Sequence, residues 1–197
     1  MTNQLPIEIV RLGVELQKLS CRYANNMPVL LAGGAPRDIE HGKPVKDYDF
    51  YVSRKLYWHT IDSLSRELFG TYTSQVIDAV TGDYPFDVRN IGDNIQIISV
   101  EDTIEEIRKF DIGLCRIAID FKDGCVRREP EYIKDKKNKT LTNYIGAFSS
   151  TTHYAPAHRI TYDMREFTRH KEHLDRLLLK YEGYKYRHKL KYVEVPF

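Results

Sequence analysis

The sequence lacks long apolar runs, a regular cysteine pattern and a strong net charge, and each absence excludes a class of protein. No stretch stays apolar for the roughly 18 residues that a transmembrane helix needs, so we expect no membrane span. The first ten residues lack the basic and then apolar pattern of a secretory signal. Only three cysteines are present, and their wide spacing argues against a disulfide framework and against a Cys-x-x-Cys metal site. We therefore expect a cytoplasmic protein.

Basic and acidic residues nearly balance, at 30 and 28 over 197 residues, so the chain is not a general polycation. Its length predicts one domain with a small appendage. Apolar periodicity predicts helices over residues 6–24, 56–69, 101–109 and 156–181. Short apolar or alternating runs predict strands over residues 29–32, 47–52, 94–100 and 112–121, with residues 125–127 pairing back as a hairpin. Residues 71–93 are ambiguous, with a possible strand over residues 76–80.

One stretch, residues 29–52, carries most of the functional information. Its apolar start predicts a buried strand. Gly33 and Gly34 follow at once, and glycines permit a sharp turn and a close approach of a ligand to the backbone. Pro36 favours the first turn of a helix, whose N-terminal N–H groups attract anions such as phosphate. The pattern therefore predicts a phosphate-binding turn.

The same stretch ends in a strand pattern that carries two acids. Because residues two apart in a strand point to the same face, we expect Asp47 and Asp49 to project together. Tyr48 and Phe50 then point to the opposite face. Two carboxylates on one face repel each other unless a cation lies between them, and oxygen ligands suit Mg²⁺. A solvated acidic strand edge is the alternative interpretation.

These residues resemble the signature of the DNA polymerase β-type nucleotidyltransferase superfamily, a glycine turn followed by an Asp-x-Asp strand. More narrowly, GGAPRD at residues 33–38, Gly42 and DYD at residues 47–49 are similar to the head motif of tRNA nucleotidyltransferases and bacterial poly(A) polymerases. A second block at residues 109–120, KFDIGLCRIAID, is similar to a further segment of that family. The resemblance implies an α/β (α+β) nucleotidyltransferase fold, with helices flanking a mixed central sheet and a small C-terminal helical cap.

The resemblance also implies a substrate, metal ions and residue roles. Members act on nucleoside triphosphates with two Mg²⁺ ions, for which Asp47 and Asp49 would be the catalytic ligands. Gly33 and Gly34 would cradle the β- and γ-phosphates. Further nucleotide contacts are predicted, with a structural salt bridge or an exposed side chain as the alternative, for Arg37, Asp38, Lys46, Arg116 and Arg159.

The third metal ligand is less evident. The predicted strand over residues 94–100 carries Gln96 where the family pattern often has a glutamate. Asp111 matches the aspartate of the second block, so we assign it as the third ligand, while a site with two acids stays open. Asp120 is interpreted instead as an acid in the turn that ends its strand.

The C-terminal region bears on the acceptor. We assign residues 1–128 to the head domain with its N-terminal helix, and residues 129–197 to a helical subdomain with a basic, tyrosine-rich tail. That tail composition favours RNA contact, because lysines and arginines attract phosphates and aromatic rings stack on bases; a packed terminal strand is the alternative. The Glu-Asp-x-x-Arg element with which the tRNA enzymes read the base is absent.

The sequence thus predicts an enzyme that transfers a nucleoside monophosphate from a nucleoside triphosphate to an acceptor hydroxyl and releases pyrophosphate. The 3′ end of RNA or tRNA is the expected acceptor. A protein side chain or a small molecule is an alternative acceptor. A non-catalytic module that binds nucleotide or RNA is a third hypothesis, which Gln96 favours.

Overall fold

The computed structural model describes residues 5–75, 87–144, 148–149, 157–187 and 192–193. Of these, residues 75, 87, 148–149, 157–167 and 192–193 are described by their backbone alone. These residues fall into two compact units. The first comprises Met1–Phe110 and Cys115–Glu129, and the second comprises Asp111–Leu114 and Pro130–Phe197. The domain boundary predicted between residues 128 and 129 stays a prediction, since compactness does not test independent folding.

A seven-stranded sheet forms the centre of the first unit. Its strands are β1 (Leu30–Ala32), β2 (Tyr48–Ser53), β3 (Ser74–Gln75), β4 (Asp87–Ile91), β5 (Ile95–Val100), β6 (Ile117–Asp120) and β7 (Cys125–Arg128). Their spatial order is β3-β4-β5-β2-β1-β6-β7. β2 and β5 pair in parallel, whereas the other neighbouring pairs are antiparallel. This mixed sheet confirms the predicted fold class.

Four helices belong to the first unit: α1 (Ile7–Tyr23), α2 (Gly34–Glu40), α3 (Trp58–Phe69) and α4 (Thr103–Arg108). Their ends follow local chemistry. Asn25 and Asn26, both at positive φ, follow α1, and Gly70 ends α3 in the left-handed conformation that glycine adopts without strain. The Asp102 carboxylate caps α4 by accepting from two backbone N–H groups. The bounds of α1, α3 and α4 were predicted to within a few residues, and α2 was predicted as a helix beginning near Pro36 without a predicted end.

The two faces of β2 pack against different layers. Tyr48, Phe50 and Val52 are buried in the main core, which α1 and α3 cover. On the other face, Tyr51 packs beside Leu30, Ala32 and residues of α4. The alternation predicted for this strand is therefore confirmed over Tyr48–Val52, and it places Asp49, two residues before Tyr51, on the α4 side of the sheet.

Two predicted strands differ from the structure. The strand predicted over residues 112–121 begins only at Ile117, because Gly113–Cys115 forms a 3₁₀ turn whose Gly113 N–H donates to the Thr142 carbonyl. β4 was not predicted, although its hairpin with β5 contains Gly92 at φ 59°. The possible strand over residues 76–80 lies outside the described residues.

The second unit contains α5 (Pro130–Asn138) and α6 (Ala157–Lys180), with the short strands β8 (Thr140–Leu141), β9 (Phe148–Ser149), β10 (Lys185–Tyr186) and β11 (Tyr192–Val193). β8 pairs with β10 and β9 with β11, both in parallel. Tyr132 and Tyr181 are buried. The buried Asp135 carboxylate accepts hydrogen bonds from Thr140 and Thr142. Among the helices of the described ranges, none is long and apolar enough to cross a membrane.

Candidate active site

The glycine turn lies directly against the second acid of the Asp-x-Asp motif. β1 ends at Ala32, which is opposite Asp49 in the antiparallel register with β2. Gly33 follows with φ 75° and ψ −126°, a conformation that essentially only glycine adopts. A Cβ placed on Gly33 would lie 2.9 Å from Oδ2 of Asp49. The turn therefore needs glycine both for its backbone and for the space that the Asp49 carboxylate occupies.

Asp49 has an unusual electrostatic environment. Burial raises the pKa of its carboxyl, the negative charge of Asp47 raises it further, and the Arg37 guanidinium lowers it in part, which leaves a pKa of about 6. Asp47 lies one residue before β2, is more exposed, and has the Lys46 ammonium 3.3 Å from its Oδ2. The Asp47 charge thus acts on Asp49, and a cation between the two carboxylates would relieve their repulsion; their joint role as metal ligands stays a prediction.

Arg37 and Asp38 are buried at the start of α2, with 5% and 3% of their surfaces exposed. Nε of Arg37 lies 3.6 Å from Oδ1 of Asp38, and its Nη1 donates to Cys115 Sγ at 2.8 Å. A Cβ on Gly34 would lie 3.7 Å from Nη2 of Arg37, so the guanidinium lies next to the glycine turn. These contacts agree with the salt-bridge alternative, and a direct phosphate contact of Arg37 stays a prediction.

Gln96 lies beside the acids on the neighbouring strand. In the parallel register between β2 and β5, Gln96 is directly opposite Asp49. The Gln96 amide oxygen could coordinate a cation but carries no charge. It therefore adds nothing to the negative charge of Asp47 and Asp49. In the described residues of the first unit, the candidate site therefore brings Asp49 on β2 opposite the Gln96 amide on β5, with Asp47 in the residue just before β2.

Asp111 belongs to the second unit, where its carboxylate forms an ion pair with His170 of α6. Burial alone would raise its pKa, but the hydrogen bond from His170, with the charges of His170 and His173, outweighs burial and lowers the pKa. Its role as third metal ligand stays a prediction. The Asp111 carboxylate is engaged within its own unit, a contact that no signal in the sequence indicated.

The remaining predicted residues lie in different surroundings. Nε of Arg116 donates to the Phe110 carbonyl at 2.8 Å. Arg159 lies within α6, and its side chain is outside the described residues. Asp120 accepts from the backbone N–H groups of Lys122 and Asp123, which confirms that it is a turn acid.

Asp120, Asp123 and Cys125 form a group whose ligand atoms lie within 4.8 Å of one another. Such a group resembles a metal site by composition. Here the Arg127 guanidinium engages both acids, with its Nη2 at 2.9 Å from Asp123 and its Nε on Asp120. We therefore interpret this group as an ion-pair network that holds the β6–β7 hairpin.

Two residues of the site escaped the sequence analysis. Cys115, which is buried, accepts the Arg37 hydrogen bond, and a lone cysteine in a strand pattern gave no sign of this contact. Tyr51 lies on the Asp49 face of β2 and packs on Phe110, with ring centroids 5.7 Å apart. Burial and the charge of Asp49 raise the pKa of its hydroxyl, so it stays protonated. Its spacing of two residues from Asp49 could have indicated that shared face.

Comparison with solved structures places the fold among CCA-adding enzymes. The Thermotoga maritima CCA-adding enzyme complexed with tRNA superposes with a TM-score of 0.62 at 14% identity, over 95% of this chain and 41% of that chain. An apo form of a CCA-adding enzyme gives 0.59 at 14% identity, over 94% and 41%. A CCA-adding enzyme in complex with ATP gives 0.51 at 17% identity, over 71% and 33%.

These likenesses confirm the resemblance to a nucleotidyltransferase head domain at the level of the fold. The chain spans about two fifths of the length of the first two enzymes. No protein-family profile matches the sequence. No curated protein sequence matches it either.

Proposed function

We propose that the protein is a metal-dependent nucleotidyltransferase that moves a nucleoside monophosphate from a nucleoside triphosphate to an acceptor hydroxyl. One observation carries the proposal: the Asp49 carboxylate lies 2.9 Å from the position of a Cβ on Gly33, and Asp47 is close enough for its charge to raise the pKa of Asp49. A glycine turn that approaches a pair of acids this closely brings a triphosphate-binding backbone and a metal-binding pair into one site.

The residues fit divalent metal ions. Carboxylate oxygens are the donors that Mg²⁺ prefers. Burial is the main cause of the raised pKa of Asp49, and the charge of Asp47 adds to it, a repulsion that a cation would relieve. Asp47 and Asp49 would hold the ions, with Gln96 as a neutral neighbour. Bound Mg²⁺ would lower the pKa of the attacking hydroxyl and neutralise the charge of the leaving pyrophosphate.

The protein's own residues then perform positioning. Gly33 and Gly34 present backbone at the end of β1, where the absence of a Cβ admits the β- and γ-phosphates. α2 has seven residues, so the backbone of the turn contributes more to phosphate binding than the helix dipole does. Arg37 stays buried and stabilises the ionised Asp49 from below the turn. At neutral pH, Asp49 is ionised and its carboxylate is available for a cation.

The proposed acceptor is the 3′ hydroxyl of RNA or tRNA. Support comes from the fold likeness to CCA-adding enzymes, one of which is seen with tRNA and another with ATP. This chain spans 41% and 33% of those two enzymes, so the acceptor rests on the fold and on the basic, tyrosine-rich sequence near residue 185 rather than on a shared acceptor site.

Transfer of labelled nucleotide tests this proposal. The protein is incubated with each α-labelled nucleoside triphosphate, Mg²⁺ and pooled tRNA or total RNA, and the products are treated separately with nuclease and protease. We expect label in material that nuclease degrades and protease leaves intact. Label that resists nuclease and disappears with protease would select a protein acceptor instead and overturn the RNA assignment.

A second candidate function is a non-catalytic nucleotide-binding module, favoured by the amide of Gln96 opposite Asp49. Calorimetric titration with each triphosphate separates it from the enzyme. Binding that requires Mg²⁺ without label transfer to any acceptor would favour the module. Transfer that disappears in Asp47→Ala and Asp49→Ala, with the fold retained, would favour the enzyme.

A further inference from the structure

A recess opens into the main core of the first unit beside the start of β2. It has a volume of about 400 Å³, which is within the range of small-molecule pockets. Its walls come from the start of α1, the start of β2, the chain after α3 and the β4–β5 turn. All four belong to the first unit, so one compact body builds the whole recess. We name it the core recess.

The walls of the core recess are mainly apolar side chains that also belong to the main core. Ile9, Ile91 and Ile95 line it and keep at most 4% of their surfaces exposed. Phe69, which packs against the same core, adds an aromatic ring. Protein interiors are otherwise filled to nearly crystalline density, so open space beside these side chains leaves dispersion contacts unmade. An apolar ligand body would supply those contacts.

Tyr48 brings a buried polar group to the core recess. Only 9% of its surface is exposed, and burial raises the pKa of its hydroxyl, which therefore stays protonated at neutral pH. Among the described residues that hydroxyl forms no hydrogen bond, whereas a buried tyrosine hydroxyl usually has a partner. The Tyr48 backbone N–H donates to the Asn94 carbonyl at 2.8 Å, which holds the start of β2 against the β4–β5 turn. The recess therefore offers a positioned hydroxyl that a ligand would satisfy.

Glu8 gives the core recess its charge. It is exposed in the first turn of α1, and its carboxylate forms no ion pair within the described ranges. None of the described residues that line the recess is a lysine, an arginine or a histidine. The full charge among these lining residues is therefore negative, and it favours a positively charged ligand group. Because Glu8 is exposed to solvent, this attraction is modest and is screened by salt.

We propose that the core recess binds a small organic amine. Its apolar body would pack against Ile9, Ile91 and Ile95, and its ammonium group would donate to the Glu8 carboxylate and the Tyr48 hydroxyl oxygen. A neutral alcohol of the same shape would fill the recess without the ion pair. A carboxylic acid of the same size would be repelled by Glu8.

The core recess and the proposed active site lie on opposite faces of β2. Tyr48 belongs to the main core that α1 and α3 cover, whereas Asp49 lies on the α4 side of the sheet. An amine in the recess thus does not occupy the proposed metal site. The proposal is independent of nucleotidyl transfer, because the binding requires neither a triphosphate nor a metal ion.

Three probes with a similar apolar body and different charges test the proposal: phenethylamine, phenethyl alcohol and hydrocinnamate. Each is titrated in EDTA into protein with isotope-labelled isoleucine methyl groups, and the methyl NMR spectrum is followed. We expect shifts at Ile9, Ile91 and Ile95 and none at Ile107, which lies on the other face of the sheet. The amine should bind with a dissociation constant of about 1 mM, as expected for so small a ligand. At low salt it should bind about fivefold more tightly than the alcohol, with the carboxylate weakest.

Glu8→Gln should lower the affinity for the amine to that for the alcohol and leave the alcohol unchanged. Glu15→Gln is the matched control, because Glu15 lies further along α1, does not line the recess and pairs with Lys18 at 2.7 Å. It should bind all three probes as the parent does. Tyr48→Phe keeps the ring and removes the hydroxyl, and should weaken amine binding about threefold. Circular dichroism melting verifies that each variant is folded.

Four outcomes would overturn the proposal. Equal affinity of the parent protein for the amine and the alcohol would show that the recess selects an apolar body alone. An unchanged affinity for the amine in Glu8→Gln would separate the charge from the binding. Tightest binding of hydrocinnamate would assign the recess to an anion. Saturation with every probe without shifts at Ile9, Ile91 and Ile95 would show that the recess admits no ligand. None of these outcomes bears on transfer at Asp47 and Asp49.

Discussion

Burial and the charge of Asp47 make the ionised form of Asp49 unfavourable in the folded protein. Its pKa of about 6 exceeds the ordinary carboxyl value of 3.8 because the carboxylate is partly buried and lies near Asp47. A folded-state pKa above the unfolded-state pKa means that the folded protein binds the proton more tightly. The favourable contribution of the protonated form is therefore complete below about pH 4 and is lost as the pH rises through about 6.

Because ionised Asp49 lowers the stability of the folded protein, the pH dependence of Asp49→Asn can be predicted in the absence of metal. Asparagine does not ionise, so the variant should have a free energy of unfolding about 2 kcal/mol higher than the parent at pH 8, and the difference should shrink towards pH 4. Urea denaturation in EDTA at both pH values measures it. The exposed Glu67→Gln serves as a control that should show no such pH dependence. A constant difference between the two pH values would contradict the account.

Gly33 and Gly42 form a natural pair for testing the glycine turn. Both have positive φ, at 75° and 66°, so an alanine at either site strains the backbone and should lower stability by about 1–3 kcal/mol. Only at Gly33 would the new Cβ meet the Asp49 carboxylate, at 2.9 Å, whereas nothing lies within 4 Å at Gly42.

We therefore expect Gly33→Ala to weaken Mn²⁺ binding at least tenfold and Gly42→Ala to leave it unchanged. Electron paramagnetic resonance of unbound Mn²⁺ measures both affinities, and urea denaturation shows that each variant is folded. Equal Mn²⁺ affinities in the two variants would separate the glycine turn from the metal site and contradict the proposed geometry.

At the scale of elements, α1 is held close to the sheet by the absence of a side chain at Gly13. A Cβ there would lie 2.2 Å from the Phe121 ring. Helix propensity alone predicts that Gly13→Ala stabilises a helix interior by about 1 kcal/mol, but overpacking against the ring costs about 1–3 kcal/mol. We expect a net loss of about 1–2 kcal/mol by urea denaturation, and a smaller loss in a Phe121→Leu background. A gain in stability would show that α1 can shift away from the sheet.

In the second unit, Asp135 joins α5 to β8. Its fully buried carboxylate accepts from the Thr140 hydroxyl at 2.9 Å and from the Thr142 backbone N–H at 2.9 Å. In Asp135→Asn one carboxylate oxygen becomes a donor, so a buried donor loses its acceptor, and we expect a loss of about 1–3 kcal/mol in thermal or urea unfolding. The exposed Asp175→Asn on α6 should be neutral. Equal stabilities of the two variants would contradict a structural role for Asp135.

The elements show which parts of this fold the sequence could predict. Where apolar spacing and capping residues agree, as in α1 with its two asparagines or α3 with Gly70, the prediction was accurate because local chemistry decides the ends. The apolar pattern of residues 112–121 was misleading because Gly113 bonds to Thr142, a contact far along the chain. β4 was missed because its polar sequence forms a strand only through pairing with β5.

The candidate site likewise contains residues that the sequence could bring together and residues that it could not. Gly33, Asp47 and Asp49 lie within 17 residues of one another, so strand alternation and turn chemistry were sufficient to bring them together. Cys115 and Tyr51 became part of the site only through packing between β2, α2 and the chain before β6. The ion pair between Asp111 and His170 joins residues 59 positions apart in the sequence, and no local pattern predicts such a contact.

At the scale of the whole molecule, a nucleotidyltransferase-type fold carries the candidate two-acid site at the start of β2. The acids and the glycine turn define how a triphosphate and its metal ions would be held. The chain spans about two fifths of the first CCA-adding enzymes at 14% identity, so the acceptor requires its own experiment. The chemistry itself has one direct test.

That test compares ATP labelled on the α-phosphate with ATP labelled on the γ-phosphate, in the presence of Mg²⁺ and total RNA. The account predicts that label from α-labelled ATP enters the acceptor, that label from γ-labelled ATP leaves as pyrophosphate, and that Asp47→Ala/Asp49→Ala abolishes both. Transfer of the γ-label to the acceptor, or equal incorporation by the parent and the double variant, would contradict nucleotidyl transfer at Asp47 and Asp49.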